Sequence, residues 1–210
     1  MRKNPLRNVS TPDLLCVSPT FDHRTSSCKN NRTNFLLGLQ NVRTINAQDR
    51  LVNVISEIQT HNIDIFCMTE TWLKHNDVLP DFGFSQAGLS YSSWPRAGHT
   101  RGGGLAIIYK DAFYLREIVL EPFESFEHIT VSMMHSGRSI VTLSVIYRSP
   151  SEPVSHFLRD FDDFLEQLCT RTSNPNQLIV GDFNIHIDDT NNCYTTSLFS
   201  SCINMIYASL

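Results

Sequence analysis

Four apolar runs in this chain end in side chains able to take part in acid–base or metal chemistry: Asn41, Glu70, Tyr147, and the pair Asp182 and Asn184. Side chains at strand ends sit on rigid backbone, so they can be held to the tolerance that a catalytic constellation needs. Glu70 is a hard oxygen ligand suited to Mg²⁺, which keeps several waters and takes one or two carboxylates besides substrate phosphate. Asp182 can orient and deprotonate a water, while the amides of Asn184 and Asn41 can position that water or hold a phosphate oxygen. Tyr147 can donate a hydrogen bond to charge developing on phosphorus. Together the set suits metal-assisted hydrolysis of a phosphate ester. Taken singly, each residue has a plainer reading. Asp or Asn after a strand commonly caps a turn, and a Glu there is usually solvated. Convergence of several such ends in one compact fold is what makes a site.

The elements that must position these groups begin at Asn34. Phe35 to Gln40 reads as a short strand, and Ile63 to Thr69 as a buried one. Ala47 to His61 is helical, with Leu51, Ile55 and Ile58 on one face. Residues 74–100 are punctuated by Pro80, Gly83, Gly88, Pro95 and Gly98 and read as loop. Gly104 to Tyr109, Glu127 to Met134 and Ser139 to Tyr147 follow as strands. His156 to Arg171 is a second amphipathic helix, with Phe157, Phe161, Phe164, Leu165 and Leu168 facing inward. Its charged residues Asp160, Asp162 and Asp163 fall on the solvent side. Gln177 to Val180 is a further strand, and Ser197 to Tyr207 has helical apolar spacing. Three consecutive central strands without strict βαβ alternation imply antiparallel pairs, with helices covering the outer faces in a layered α/β arrangement.

The composition is globular: 41% hydrophobic and 18% charged over 210 residues. Residues 1–33 are rich in Ser, Thr, Asn, Pro and Arg, carry a net charge of +4, and read as a disordered leader. The rest carries −8, so the chain does not grip nucleic acid through a broad basic surface. The six cysteines form no C-x-x-C pair, and Cys67 lies in an apolar run as a free buried thiol. The N-terminus has no apolar signal core, and no window approaches the ~20 apolar residues of a membrane span. The expectation is a soluble, reduced, intracellular protein.

The ordered motifs carry more information. After Asn41 come Thr69-Glu70-Thr71-Trp72-Leu73, Arg101-Gly102-Gly103-Gly104-Leu105-Ala106-Ile107, Ile146-Tyr147-Arg148-Ser149-Pro150 and Gly181-Asp182-Phe183-Asn184. In this order they resemble the endonuclease/exonuclease/phosphatase superfamily, most of all the apurinic-type endonuclease domain of non-LTR (LINE-like) retrotransposons. The resemblance covers residues 34–210. It implies a four-layer α/β sandwich, two packed mixed sheets flanked by helices. It also implies dependence on Mg²⁺ (or Mn²⁺), and nicking of DNA that primes reverse transcription, hence nuclear access. By motif position Glu70 is the metal ligand and Asn41 supports it. Asp182 activates the nucleophilic water with Asn184 beside it, and Tyr147 contacts the scissile phosphate. Arg43, Arg148 and Arg101 are the candidate phosphate contacts.

One departure stands out. The superfamily completes its site with a C-terminal Ser-Asp-His motif, and none of the 28 residues after Asp182 supplies Asp-His. His186 lies within the Asp182 segment itself and reads as structural. The chain is therefore expected to be a domain missing its last strands, with weak or no nuclease activity. The alternatives are a non-catalytic fragment, or a phosphatase-branch member acting on inositol phosphate or phospholipid. Gly102-Gly103-Gly104 has no Lys-Ser/Thr after it and leads into a strand, so it reads as a place of close backbone packing, not a phosphate-binding loop.

Overall fold

The computed structural model describes residues 13–17, 34–45, 48–74, 77, 84–96, 102–185, 194–198 and 200–201. Two mixed sheets lie face to face. The first has the order β1(Asp13–Val17), β2(Phe35–Asn41), β3(Ile65–Thr69), β5(Leu105–Lys110), β4(Leu89–Trp94). The second runs β6(Phe113–Glu117), β7(Glu127–His135), β8(Arg138–Tyr147), β9(Gln177–Asp182). Helix α1(Gln48–Thr60) covers the first sheet, and α2(Val154–Arg171) the second. The result is the four-layer α/β sandwich that the strand pattern and the resemblance imply.

Alternation of side chains across each strand builds the layers. In β3 every residue is buried, because Ile65 and Cys67 face the second sheet while Phe66 and Met68 face α1. The inter-sheet layer adds Phe35, Leu37, Leu105 and Ile107 from one side and Val131, Met133, Leu143 and Val145 from the other. Leu51, Val54, Ile55 and Ile58 form the buried face of α1. Phe157, Phe161, Phe164 and Leu168 do the same for α2, against Ile146. Cys67 is a free thiol, fully buried, and burial pushes its pKa up, so it is inert packing.

Three features differ from the sequence reading. Residues 13–17, inside the expected disordered leader, form β1 and pair antiparallel with β2, from Asp13 opposite Leu39 to Val17 opposite Phe35. The span read as loop contains β4, a Ser-rich edge strand, and β6 was not foreseen. Both are sheet edges, where one neighbour and a single anchoring residue (Leu89 and Phe113) leave little apolar signal. Asp160 is also not simply solvated. Its side chain is only 13% exposed; burial raises its pKa, but hydrogen bonds from Ser125 and Arg159 more than offset this and lower it. Residues 197–198 and 200–201 are helical as expected, and the rest of that expected helix lies outside the described residues.

On the outer face of the second sheet, His128 packs among Phe123, Phe126 and Phe164, with ring centroids 5.4–5.8 Å away. Its Nε2 donates to the Glu121 carbonyl at 3.2 Å, while Nδ1 is buried without a partner. Protonation would put an unpaired charge beside three Phe rings. Burial accordingly lowers the His128 pKa, only partly opposed by the Glu121 bond. In the unfolded chain the imidazole protonates near pH 6.5, so the unfolded state takes up a proton first as pH falls. Stability should therefore drop progressively below about pH 6.5 and through the lowered folded value. Urea unfolding of wild type and His128→Gln between pH 8 and 5 tests this: the variant should show the shallower fall. Parallel pH curves would show that His128 does not carry the effect.

Candidate active site

Each sheet contains one parallel pair, β2 with β3 and β8 with β9. In a parallel pair the carboxyl ends of both strands lie side by side. Asn41 is the register partner of Thr69, which places Glu70 one residue beyond it, and Tyr147 is the partner of Asp182. The two pairs point these ends at one another across the inter-sheet seam. The close approach of β9 to β8 needs Gly181, because a Cβ there would stand 2.1 Å from the Ile146 carbonyl oxygen.

The four residues meet in one hydrogen-bonded group. The Asn41 Nδ2 amide donates to Glu70 Oε1 at 3.0 Å and to Asp182 Oδ2 at 2.8 Å. The Tyr147 hydroxyl donates to the same Glu70 oxygen at 2.9 Å. Both hydrogens of the Asn41 amide are thus committed, and its Oδ1 accepts the Arg43 N–H at 3.2 Å. Asn41 is a bridge between two carboxylates, with no donor left for a phosphate oxygen. The Tyr147 phenol is pushed well above its ordinary range, first by burial, then by its bond to Glu70 and the charges of Glu70 and Asp182, against a smaller pull from Arg96. It stays a hydroxyl donor at any ordinary pH.

Backbone around the site is unusual. Glu70 has φ +53°, Asn184 +51°, Arg43 +42°, Thr44 +82° and Trp72 +55°. Non-glycine residues in this region cost of order 1–3 kcal/mol each and persist only where surroundings enforce them. The enforcing bonds are present: Thr44 N–H to Glu70 O at 2.8 Å, Ile45 N–H to Thr71 O at 3.0 Å, and Trp72 N–H to Gly103 O at 2.9 Å. The glycine run supplies the opposite wall, and its role is close packing as the sequence suggested. Gly103, at φ +70°, leaves room only for the Arg96–Glu127 ion pair, since a Cβ would come within 2.2 Å of Glu127 Oε1. Glu127 takes Arg96 Nε and the Gly104 N–H, each at 2.6 Å.

Two expected site residues take other roles. Arg148 is buried at 2% exposure and spends its guanidinium on backbone carbonyls. It donates to Phe183 O and Asn184 O at 2.6 Å each, to Ser149 O at 3.2 Å, and to Glu152 O. These bonds pin the 182–184 turn to the 149–152 turn. Asn184 turns its amide nitrogen to Arg148 O at 2.7 Å, away from Asp182, while its backbone N–H reaches Asp182 Oδ1 at 3.3 Å. Arg43 is exposed beside the site, its backbone held by Asn41 and by Arg50. Arg101 and His186 lie outside the described residues. Arg96 follows β4, and its guanidinium is paired with Glu127. Its closeness to Tyr147 follows from the pairing of Glu127 with Tyr147, which no local motif reveals.

Among the described residues no cluster of three or more His, Cys, Asp or Glu forms a self-sufficient metal cage. The donor set nonetheless fits a hard divalent cation. Two carboxylates share one neutral amide, and neither is in an ion pair among the described residues, although the charge of Arg148 acts on Asp182 from a greater distance. A cation that recruits one or two protein carboxylates and leaves room for substrate oxygens matches that arrangement.

A layered α/β sandwich whose two parallel strand pairs turn carboxylates toward a common cleft defines the class. The chain belongs to the Endonuclease/Exonuclease/phosphatase family, whose model matches residues 38–209. That family is hydrolytic, and its enzymes typically use divalent metals. The fold is similar to an AP endonuclease from Archaeoglobus fulgidus, with TM-score 0.56 and 17% identity, covering 82% of this chain and 70% of that one. It is also similar to the 3′ phosphatase NExo from Neisseria bound to product DNA hairpin, with TM-score 0.56, 16% identity and coverage of 80% and 70%. The endonuclease domain of TRAS1, a telomere-specific non-LTR retrotransposon, gives TM-score 0.55, 16% identity and coverage of 80% and 71%. No curated protein sequence matches the chain. Among the described residues no helix is long and apolar enough to cross a membrane.

Proposed function

We propose that the two-sheet sandwich, β1 included, forms a Mg²⁺-dependent phosphodiester hydrolase domain of the DNA-nicking, retrotransposon-endonuclease type, with Mn²⁺ able to replace Mg²⁺ and with weak activity in this chain. The observation that carries the reading is the Asn41 amide joining Glu70 to Asp182 across the seam, with Tyr147 on the same Glu70 oxygen. Glu70, with Asp182 beside it, holds the cation. When bound, it supplies Lewis-acid polarisation of a phosphoryl oxygen and offsets charge there. Among the described residues Asp182 Oδ1 accepts only the Asn184 N–H, at 3.3 Å, and it takes the proton of the attacking water. Asn41 fixes the orientation of that carboxylate. To touch the scissile phosphate as a donor, the Tyr147 hydroxyl rotates away from Glu70, since a phenol has a single hydrogen. Arg43, exposed at the rim, and Arg101 are the phosphate-backbone contacts. A DNA substrate implies work in the nucleus. A polypeptide of these 210 residues carries no Asp-His after Asp182, and the absence of one such charge-stabilising donor typically costs ~10²–10³ in rate.

The test is nicking of supercoiled plasmid at high enzyme concentration with Mg²⁺, with Mn²⁺, and with EDTA, beside release of phosphate from a soluble inositol phosphate. Slow, EDTA-sensitive nicking without inositol phosphate turnover is expected. Phosphate release with intact plasmid would move the chain to the phosphatase branch, and nicking indifferent to EDTA would sink the reading.

A further inference from the structure

The second sheet carries a half-open cavity of about 340 Å³ on its outer face, at the strand ends opposite the site, lined by polar side chains together with Ile118 and Pro175. That volume is within the range of small-ligand pockets. Arg116, Ser132 and Thr142 stand in one register row across β6, β7 and β8, and all three line it. Ser139 and Asn174 continue the wall, and Arg171 at the end of α2 closes it from the other side. Thr142 to Tyr147 is five residues along β8, roughly 17 Å at strand rise, so this cavity is distinct from the catalytic cleft.

Its chemistry is one-sided. Two arginines, both exposed, line it and no carboxylate does. Neither Arg116 nor Arg171 forms an ion pair or hydrogen bond among the described residues, although the chain has a net charge of −4. Between them stand hydroxyls on a buried floor: Ser132 is 3% exposed and Thr142 1%. Ser132 and Ser139 share a hydrogen bond at 2.8 Å, and Asn174 Nδ2 donates to Ser139 at 2.9 Å, so the floor is pre-formed. The C-terminal end of α2 brings a partial negative charge of about half a unit here, smaller than the two positive charges of the arginines, and its Leu168 carbonyl is capped. Leu168 O accepts both the Thr172 N–H and its hydroxyl, at 3.2 and 2.8 Å, and Gln167 O accepts the Thr170 hydroxyl.

We infer that this cavity binds a phosphate group of a small molecule, held between Arg116 and Arg171 with the Thr142 hydroxyl as donor. Planar guanidinia from two elements give forked donors to a tetrahedral oxyanion. Titration calorimetry of the full chain with inorganic phosphate and with a nucleoside monophosphate tests it. Both should bind wild type and Glu70→Gln alike. Each of Arg116→Gln and Arg171→Gln should weaken binding by about tenfold, a charge-assisted bond's worth. Thr142→Val, nearly isosteric, should weaken it several-fold, whereas Arg159→Gln on the exposed side of α2 should not. Tighter binding of the nucleotide assigns the ligand to phosphorylated nucleosides, and equal binding assigns it to phosphate itself. Unchanged affinity in the Arg116→Gln/Arg171→Gln double variant, loss of binding in Glu70→Gln, or no binding by wild type would each overturn the proposal.

Discussion

Glu70→Gln is expected to cut Mg²⁺-dependent nicking by at least about 10²–10³-fold while leaving thermal stability near wild type. The substitution is nearly isosteric and keeps an Oε1 acceptor for the Asn41 amide at 3.0 Å and the Tyr147 hydroxyl at 2.9 Å. The φ of +53° is no harder for Gln than for Glu. What disappears is the charge, and with it the hard anionic ligand. A second readout separates the roles: the rise in melting temperature on adding Mg²⁺, seen when a ligand binds only the folded state, should vanish in Glu70→Gln. Asn41→Ala should be milder, about 10–100-fold, because it leaves both carboxylates present but unbridged. Wild-type nicking and Mg²⁺ stabilisation in Glu70→Gln would reduce Glu70 to a structural acceptor.

Replacing Arg148 with Met should cost about 3 kcal/mol of stability, because several part-buried carbonyls lose their donor and each buried group left stranded costs ~1–3 kcal/mol. The carbonyls are those of Ser149, Glu152, Phe183 and Asn184. Burial lowers the guanidinium's pKa, and the charges of Asp182, Glu152 and Tyr147 only partly offset that. Arg148→Lys should fall between wild type and Met, since a compact ammonium cannot reach carbonyls on two separate turns with a fixed fork. Nicking should decline in step with melting temperature, as the turn carrying Asp182 loosens. A variant with intact stability but weakened DNA affinity would instead restore the phosphate-contact role that the sequence suggested.

The two Arg148 roles show where sequence reading stops. Asn41, Glu70, Tyr147 and Asp182 were visible because an apolar run followed by one polar residue marks a strand end, and parallel pairing brings such ends together. The direction of a long side chain is different. Arg148 turns inward because carbonyls from residues 183 and 184 arrive there through tertiary packing, and nothing in the Tyr-Arg-Ser-Pro run encodes that. Asn184 follows for the same reason, its amide drawn to Arg148 O. The core helices were legible from periodicity, since Leu51, Ile55 and Ile58 on α1 and the Phe residues of α2 each bury a full stripe. β1, β4 and β6 were not, because edge strands need only backbone pairing on one side.

Asn41 and Glu70 belong to one sheet, Tyr147 and Asp182 to the other, and every side-chain hydrogen bond joining the pairs crosses the seam between them. The site therefore has no existence within either sheet alone. A sideways slip of one layer by even an ångström would separate Asn41 from Asp182 without breaking a single strand pairing. Substitutions in the shared layer, such as Leu143 or Ile107, would then silence the chemistry from a distance. In this molecule the cleft works as a gauge of how the two halves are aligned.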